Sequence, residues 1–182
     1  QHTELALHHF EELKSCLPDN HREQLKLEFR LELGTASEVL RNVSQEILPD
    51  LLVVGACGGN SLEKKLLGST ATALVQRTDF PLMIIPDQAT YDGLERVAYA
   101  TDYEEDDIRV IDEVLFFAKQ NHAKLFCVHI RENASLKEAY QQEFLKRAYY
   151  YDLTHNNISF DALAHHDVVE GLKHYAQLGD ID

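Results

Sequence analysis

The run Gly55–Thr70, GACGGNSLEKKLLGST, constrains this chain more than any other stretch. It follows directly on the apolar, strand-like Leu51–Val54 and sets out its glycines and hydroxyls as G-x2-G-x9-G-[ST]. Glycine lets a backbone turn sharply and approach a ligand closely. A helix starting near Gly68 would also turn unpaired N–H groups and the positive end of its dipole toward an anion. The pattern therefore reads as a phosphate cradle in which Gly55, Gly58 and Gly68 shape the loop and Ser69 and Thr70 add hydroxyl hydrogen bonds. It is not a Walker A loop, because no Gly-Lys-Ser/Thr occurs, and it is not the dinucleotide fingerprint G-x-G-x-x-G. Ending a strand or capping a helix is the plainer use of any one of these glycines.

The rest of the chain alternates strand and helix signals. Ala6, Phe10, Leu13 and Leu17 recur at helical spacing until Pro18-Asp19-Asn20. Leu25, Leu27, Phe29, Leu31 and Leu33 then alternate with charged residues, as in a strand wet on one face and lying at or near a sheet edge. Thr35 and Glu38 form a capping-box pair before a second helix carrying Ala36, Leu40, Val43 and Ile47. Leu51–Val54 reads as a central parallel strand covered on both sides, and Phe80–Ile85 as another buried strand. Residues 87–95 are polar and turn-like. Strands at Val97–Ala100, Leu125–Ile130 and Ile158–Ala164 follow, with helices over Glu104–Asn121, Ala134–Tyr151 and Asp167–Leu178 between and after them. Such alternation implies an α/β fold with a doubly wound parallel sheet, whose ligands bind beyond the carboxyl ends of the strands.

Setting Leu25–Asp50 against Ile158–Asp182 at an offset of roughly 132 gives the same order of strand, turn and helix. The expected organisation is a first unit over residues 1–87, a linker over 88–95 and a second unit over 96–182.

The stretch from about Gly34 to Pro86 resembles the universal stress protein family, whose nucleotide-binding members carry G-x2-G-x9-G-[ST] between the fourth strand and the fourth helix. The Gly34-Thr35-Ala36-Ser37 turn, the strand ending at Gly55, and Phe80-Pro81-Leu82-Met83-Ile84-Ile85-Pro86 agree with it. Val97–Asp102, VAYATD, looks like the first strand of another copy. The resemblance implies an adenine-nucleotide alpha-hydrolase-like fold in two incomplete repeats. The first would lack its opening strand-helix-strand, and the second its closing glycine loop, helix and strand. It further implies ATP as ligand, with magnesium as a possible companion, a role in stress regulation, and pairing of repeats or of chains as a homodimer. Gly55 and Gly58 would approach ribose and phosphate, while Gly68, Ser69 and Thr70 would hold the phosphate chain. Thr101 and Asp102 match the family's adenosine-holding aspartate and mark a possible degenerate site in the second unit. There the run Tyr103-Glu104-Glu105-Asp106-Asp107 replaces small residues with acids that repel phosphate. Gly59 stands where many relatives have a basic residue, and Lys64 or Lys65 is the available substitute.

Charge and composition exclude several classes. A formal net charge of −14 opposes the counterion-release binding on which nucleic-acid proteins and anionic membrane surfaces depend. No apolar stretch is long enough to span a bilayer and no charged-then-apolar leader opens the sequence, so a cytoplasmic protein is expected. The three cysteines, Cys16, Cys57 and Cys127, lie far apart without a CxxC pair and suggest neither a disulfide framework nor zinc. Cys57 lies within the glycine run, where it fills a tight loop or, near a helix start, gains thiolate character. His8-His9 and His165-His166 read as surface pairs rather than metal ligands, because adjacent residues point in different directions. Phe144 and Tyr149-Tyr150-Tyr151 read as core or interface aromatics. No general base, Ser-His-Asp order or G-x-S-x-G elbow is present. A non-enzyme is expected, or at most a slow ATPase; an interaction module with a vestigial loop is the other open reading.

Overall fold

This computed structural model of the protein describes residues 2–18, 24–56, 69–86, 89–104, 106–132 and 136–182, which divide into two units, residues 1–89 and 90–182. The N-terminal unit runs α1 (His2–Cys16), α2 (Ala36–Ile47), β1 (Leu52–Gly55), α3 (Ser69–Arg77) and β2 (Leu82–Ile85). β1 and β2 pair in parallel, with Leu52 opposite Leu82 and Gly55 opposite Ile85. Parallel neighbours cannot be joined by a tight turn, so the chain crosses over between them, and α3 lies in that crossover. Ala56, Ala71 and Leu74 are buried, as is Ser44, whose hydroxyl donates back to the Leu40 carbonyl at 2.6 Å and so satisfies its one donor.

Three local expectations for this unit are corrected. The alternating segment Leu25–Leu33 forms no strand ladder among the described residues, and all five of its apolar side chains are exposed. Alternation says which face a strand would cover, but a ladder also needs a neighbour's N–H and C=O groups. Phe29 instead stacks on Phe10 with ring centroids 4.6 Å apart. β1 is likewise not covered on both faces, since Val53 is exposed between the half-buried Leu52 and Val54. Finally, the Thr35 hydroxyl donates to the Glu38 carboxylate at 2.6 Å and makes no cap to the helix backbone.

The C-terminal unit runs β3 (Arg96–Ala100), α4 (Asp107–Gln120), β4 (Lys124–Arg131), α5 (Leu136–Ala148), α6 (Tyr150–Thr154), β5 (Ile158–Ala164) and α7 (Val168–Gly179). Its sheet has the order β3-β4-β5, all parallel, with Val97 opposite Leu125 and Leu125 opposite Ile158. The run from Leu125 to Ile130 is buried throughout, as befits a central parallel strand with helices over both faces. Ile111, Leu115 and Ala118 of α4 pack with Leu125, Cys127, Leu145, Tyr149, Ile158 and Phe160 to make the core.

The single long helix expected over Ala134–Tyr151 is two helices that meet at Tyr149 (φ −101°). The Tyr149 ring is turned into the core, and its hydroxyl donates to Asp112 Oδ1 at 2.7 Å. Of the four aromatics assigned to core or interface, Tyr149 alone is buried within the unit; Phe144, Tyr150 and Tyr151 are exposed.

α2 and α7 are both 12 residues long, begin 132 residues apart, and end on left-handed residues, Leu48 (φ 49°) and Asp180 (φ 50°). The two starts differ. Asp167 caps α7 by accepting from the Glu170 N–H at 2.9 Å, and this bond holds its carboxyl below the usual carboxylate range. A lowered folded-state pKa contributes stability above the unfolded value of about 3.9, which is lost as pH falls through the folded value. Asp167→Ala should therefore lower the melting temperature at neutral pH, and the gap to the unaltered chain should close on acidification below about pH 4. A gap indifferent to pH would show that the carboxylate charge does not make the cap.

Candidate functional site

Ligands of parallel α/β sheets gather beyond the carboxyl ends of the strands, and each unit presents such an end. In the N-terminal unit β1 stops at Gly55, and the chain continues through buried Ala56, whose N–H donates to the Ile85 carbonyl at 2.7 Å. The next described residues are Ser69 and Thr70, which open α3, with Thr70 half-buried in its first turn. Gly58 and Gly68, together with Cys57, Gly59, Lys64 and Lys65, lie outside the described residues. A strand end and a helix start thus bracket the glycine run. That is the local arrangement in which backbone N–H groups bind anions.

In the C-terminal unit the strand end is built from side chains. The Thr101 N–H donates to the Val128 carbonyl at 3.0 Å and extends the ladder one residue past β3. The Thr101 hydroxyl donates to the Asp107 carboxylate and accepts the Tyr103 N–H at 2.9 Å. Asp107 also accepts the Tyr99 hydroxyl at 2.6 Å. Burial, then this bond to an anion, pushes the Tyr99 phenol well above its ordinary pKa. Asp102 is exposed, and its carboxylate accepts the Glu104 N–H at 3.3 Å. Thr101 therefore spends its hydrogen bonds on the loop itself. The acids expected in the first turn of α4 mostly precede it, since α4 begins at Asp107.

Tyr103 closes this end of the sheet. It is 3% exposed, and its backbone is left-handed at φ 63°. Its hydroxyl donates to the Asp161 carbonyl at 2.9 Å and accepts from Gln142 Nε2 at 3.1 Å. Its ring centroid lies 5.0 Å from that of His129, whose Nδ1 is 2.8 Å from the Thr101 carbonyl and so carries the proton. Burial raises the Tyr103 phenol to about 12, leaving it neutral near pH 7. Sequence reading passed over His129, Gln142 and Asp161. The one available signal was a polar side chain at His129 inside an otherwise apolar strand.

A cavity of about 660 Å³ lies at the opposite, amino end of this sheet, lined in part by Lys119, His122, Lys124 and Asn156. Its lysines are engaged, Lys119 with Asp152 at 2.5 Å and Lys124 with Asn156 at 2.6 Å. Among the described residues no group of histidines, cysteines and acids is placed to hold a metal ion. Burial raises the Cys127 thiol to about 12, which removes it as a nucleophile near neutral pH. Among the described residues no helix is long and apolar enough to cross a membrane.

Parallel sheets joined through crossover helices define an α/β protein. More particularly, residues 4–86 match the Universal stress protein family, and that segment is related to it. The fold agrees with a solved structure described as a universal stress protein from Archaeoglobus fulgidus DSM 4304. The two are 16% identical with a TM-score of 0.70, over 97% of this chain and 63% of that one. The chain thus spans less than two thirds of the length of that relative. No curated protein matches the sequence at a significant level.

Proposed function

We propose that the N-terminal unit binds an adenine nucleotide, ATP foremost, in the loop between β1 and α3, and that the bound nucleotide serves regulation under stress. The observation that carries this reading is the bracketing of the glycine run by Gly55 at the end of β1 and by Ser69 and Thr70 at the start of α3, within a segment related to the universal stress proteins. Gly55, Gly58 and Gly68 bring backbone close to ribose and phosphate, and the hydroxyls of Ser69 and Thr70 serve the phosphates or a magnesium ion held by them. The reading is of a binding protein rather than an enzyme. The 132-residue spacing of α2 and α7 supports a tandem origin of the two units. Cytoplasmic location and pairing between repeats or as a homodimer complete the proposal.

The second reading is an interaction module with a vestigial loop, favoured by the exposed apolar row from Leu25 to Leu33. Denaturing the purified protein and chromatographing what is released separates the two. Adenine nucleotide in the supernatant, or a rise in melting temperature on adding ATP, is the expected result. Neither release nor shift favours the interaction module. Accumulation of ADP that is lost in Ser69→Ala would instead make the protein a slow ATPase.

A further inference from the structure

We propose that the carboxyl end of the β3-β4-β5 sheet is a self-occupied aromatic pocket. Tyr103 is its tethered ligand, and a free single-ring phenol, neutral or cationic, competes for the same seat. This inference is independent of nucleotide binding by the N-terminal unit.

The Tyr103 ring is held as a bound ligand is held. One face meets the His129 ring, the hydroxyl donates to the Asp161 carbonyl, and the Gln142 amide donates back to that hydroxyl. A donor and an acceptor converging on the oxygen of a buried ring specify a phenol. The same Gln142 nitrogen lies 3.2 Å from the Phe160 carbonyl, which fixes the amide's orientation.

The tether is strained while the seat is sound. A bulky aromatic residue at φ 63° is held in a region that L-residues avoid, and such strain persists only where the surroundings over-determine it. Here the compensation is the burial and hydrogen bonding of the ring. If a free phenol takes over those contacts, the tether relaxes and the strain is released. The ring can leave without breaking the sheet, because Tyr103 lies between β3 and α4 and the Thr101 N–H to Val128 bond comes before it. Charge at the mouth selects among phenols. Asp102, Glu104 and Asp106 are exposed there, so a phenol with an amine is favoured and one with a phosphate or carboxylate is repelled.

The probe is p-cresol, which is the tyrosine side chain without its backbone, and the variant is Tyr103→Gly, because glycine accepts the left-handed backbone and empties the seat. Millimolar p-cresol is expected to raise the variant's melting temperature by several degrees at a concentration that leaves the unaltered chain within one degree. Should the variant fail to fold alone, p-cresol is expected to restore a cooperative transition. Equal response of both proteins, or no response and no rescue, overturns the proposal. In the unaltered chain, saturating tyramine should speed hydrogen exchange at the Tyr103 amide, whose bond to Thr101 opens as the ring is displaced, while β4 amides stay protected. Unchanged exchange under saturating tyramine overturns the competition. 4-Hydroxyphenylacetate, which keeps the phenol and adds a carboxylate, should do neither, and a response equal to that of p-cresol overturns the charge selection.

Discussion

Gly68→Val is expected to weaken adenine-nucleotide binding by about 100-fold, equivalent to about 2.7 kcal/mol, while leaving the melting temperature nearly unchanged. Gly68 immediately precedes α3 in the sequence, and on the proposed reading the anion is held by the first N–H groups of that helix. A β-branched side chain there blocks close approach to it and excludes a left-handed turn. Comparing the two melting temperatures separates a loss of binding from a loss of fold. Isothermal titration with ATP measures the affinities. Equal affinity in the two proteins would remove the glycine cradle from any account of this chain.

Leu125→Ala is expected to destabilise the C-terminal unit by about 3 kcal/mol or more, the usual cost of a Leu→Ala cavity that the surroundings cannot close. Leu125 is 0% exposed and sits in the middle strand of its sheet, between Val97 and Ile158 in register. Leu125 shares its core cluster with Ile111, Leu115 and Ile158, whose own packing resists collapse into the void. For a unit of this size such a loss lowers the melting temperature by about 12 °C or more. Calorimetry of the two proteins tests it. A drop of only two or three degrees would mean that β4 is not the packed centre of the unit.

The fold was most legible where burial and hydrogen bonding are local to an element. Ile158–Ala164 coincides with β5, and the helix expected over Asp167–Leu178 is α7, displaced by one residue because Asp167 is its cap. Sequence failed where a distant partner decides. Leu25–Leu33 has the alternation of a strand and no ladder among the described residues. The helix expected to run past Ala148 breaks because the Tyr149 hydroxyl reaches Asp112 across the core. At the candidate sites the glycine spacing drew attention to Gly55, Ser69 and Thr70, but the seat around Tyr103 draws on four separate parts of the chain. Asp161, Gln142 and His129 stand 58, 39 and 26 positions beyond it, and no spacing rule joins them to it.

Asp182 ties the far end of the described chain back to the start of β3. Its carboxylate accepts the N–H groups of Glu95 and Arg96 at 2.6 and 2.8 Å, and its own N–H donates to the Arg96 carbonyl at 3.1 Å. Two stretches of chain 86 positions apart are therefore clasped at the start of β3. A clasp between such distant positions can form only once the intervening strands and helices are in place, so it rewards the finished unit rather than any one element.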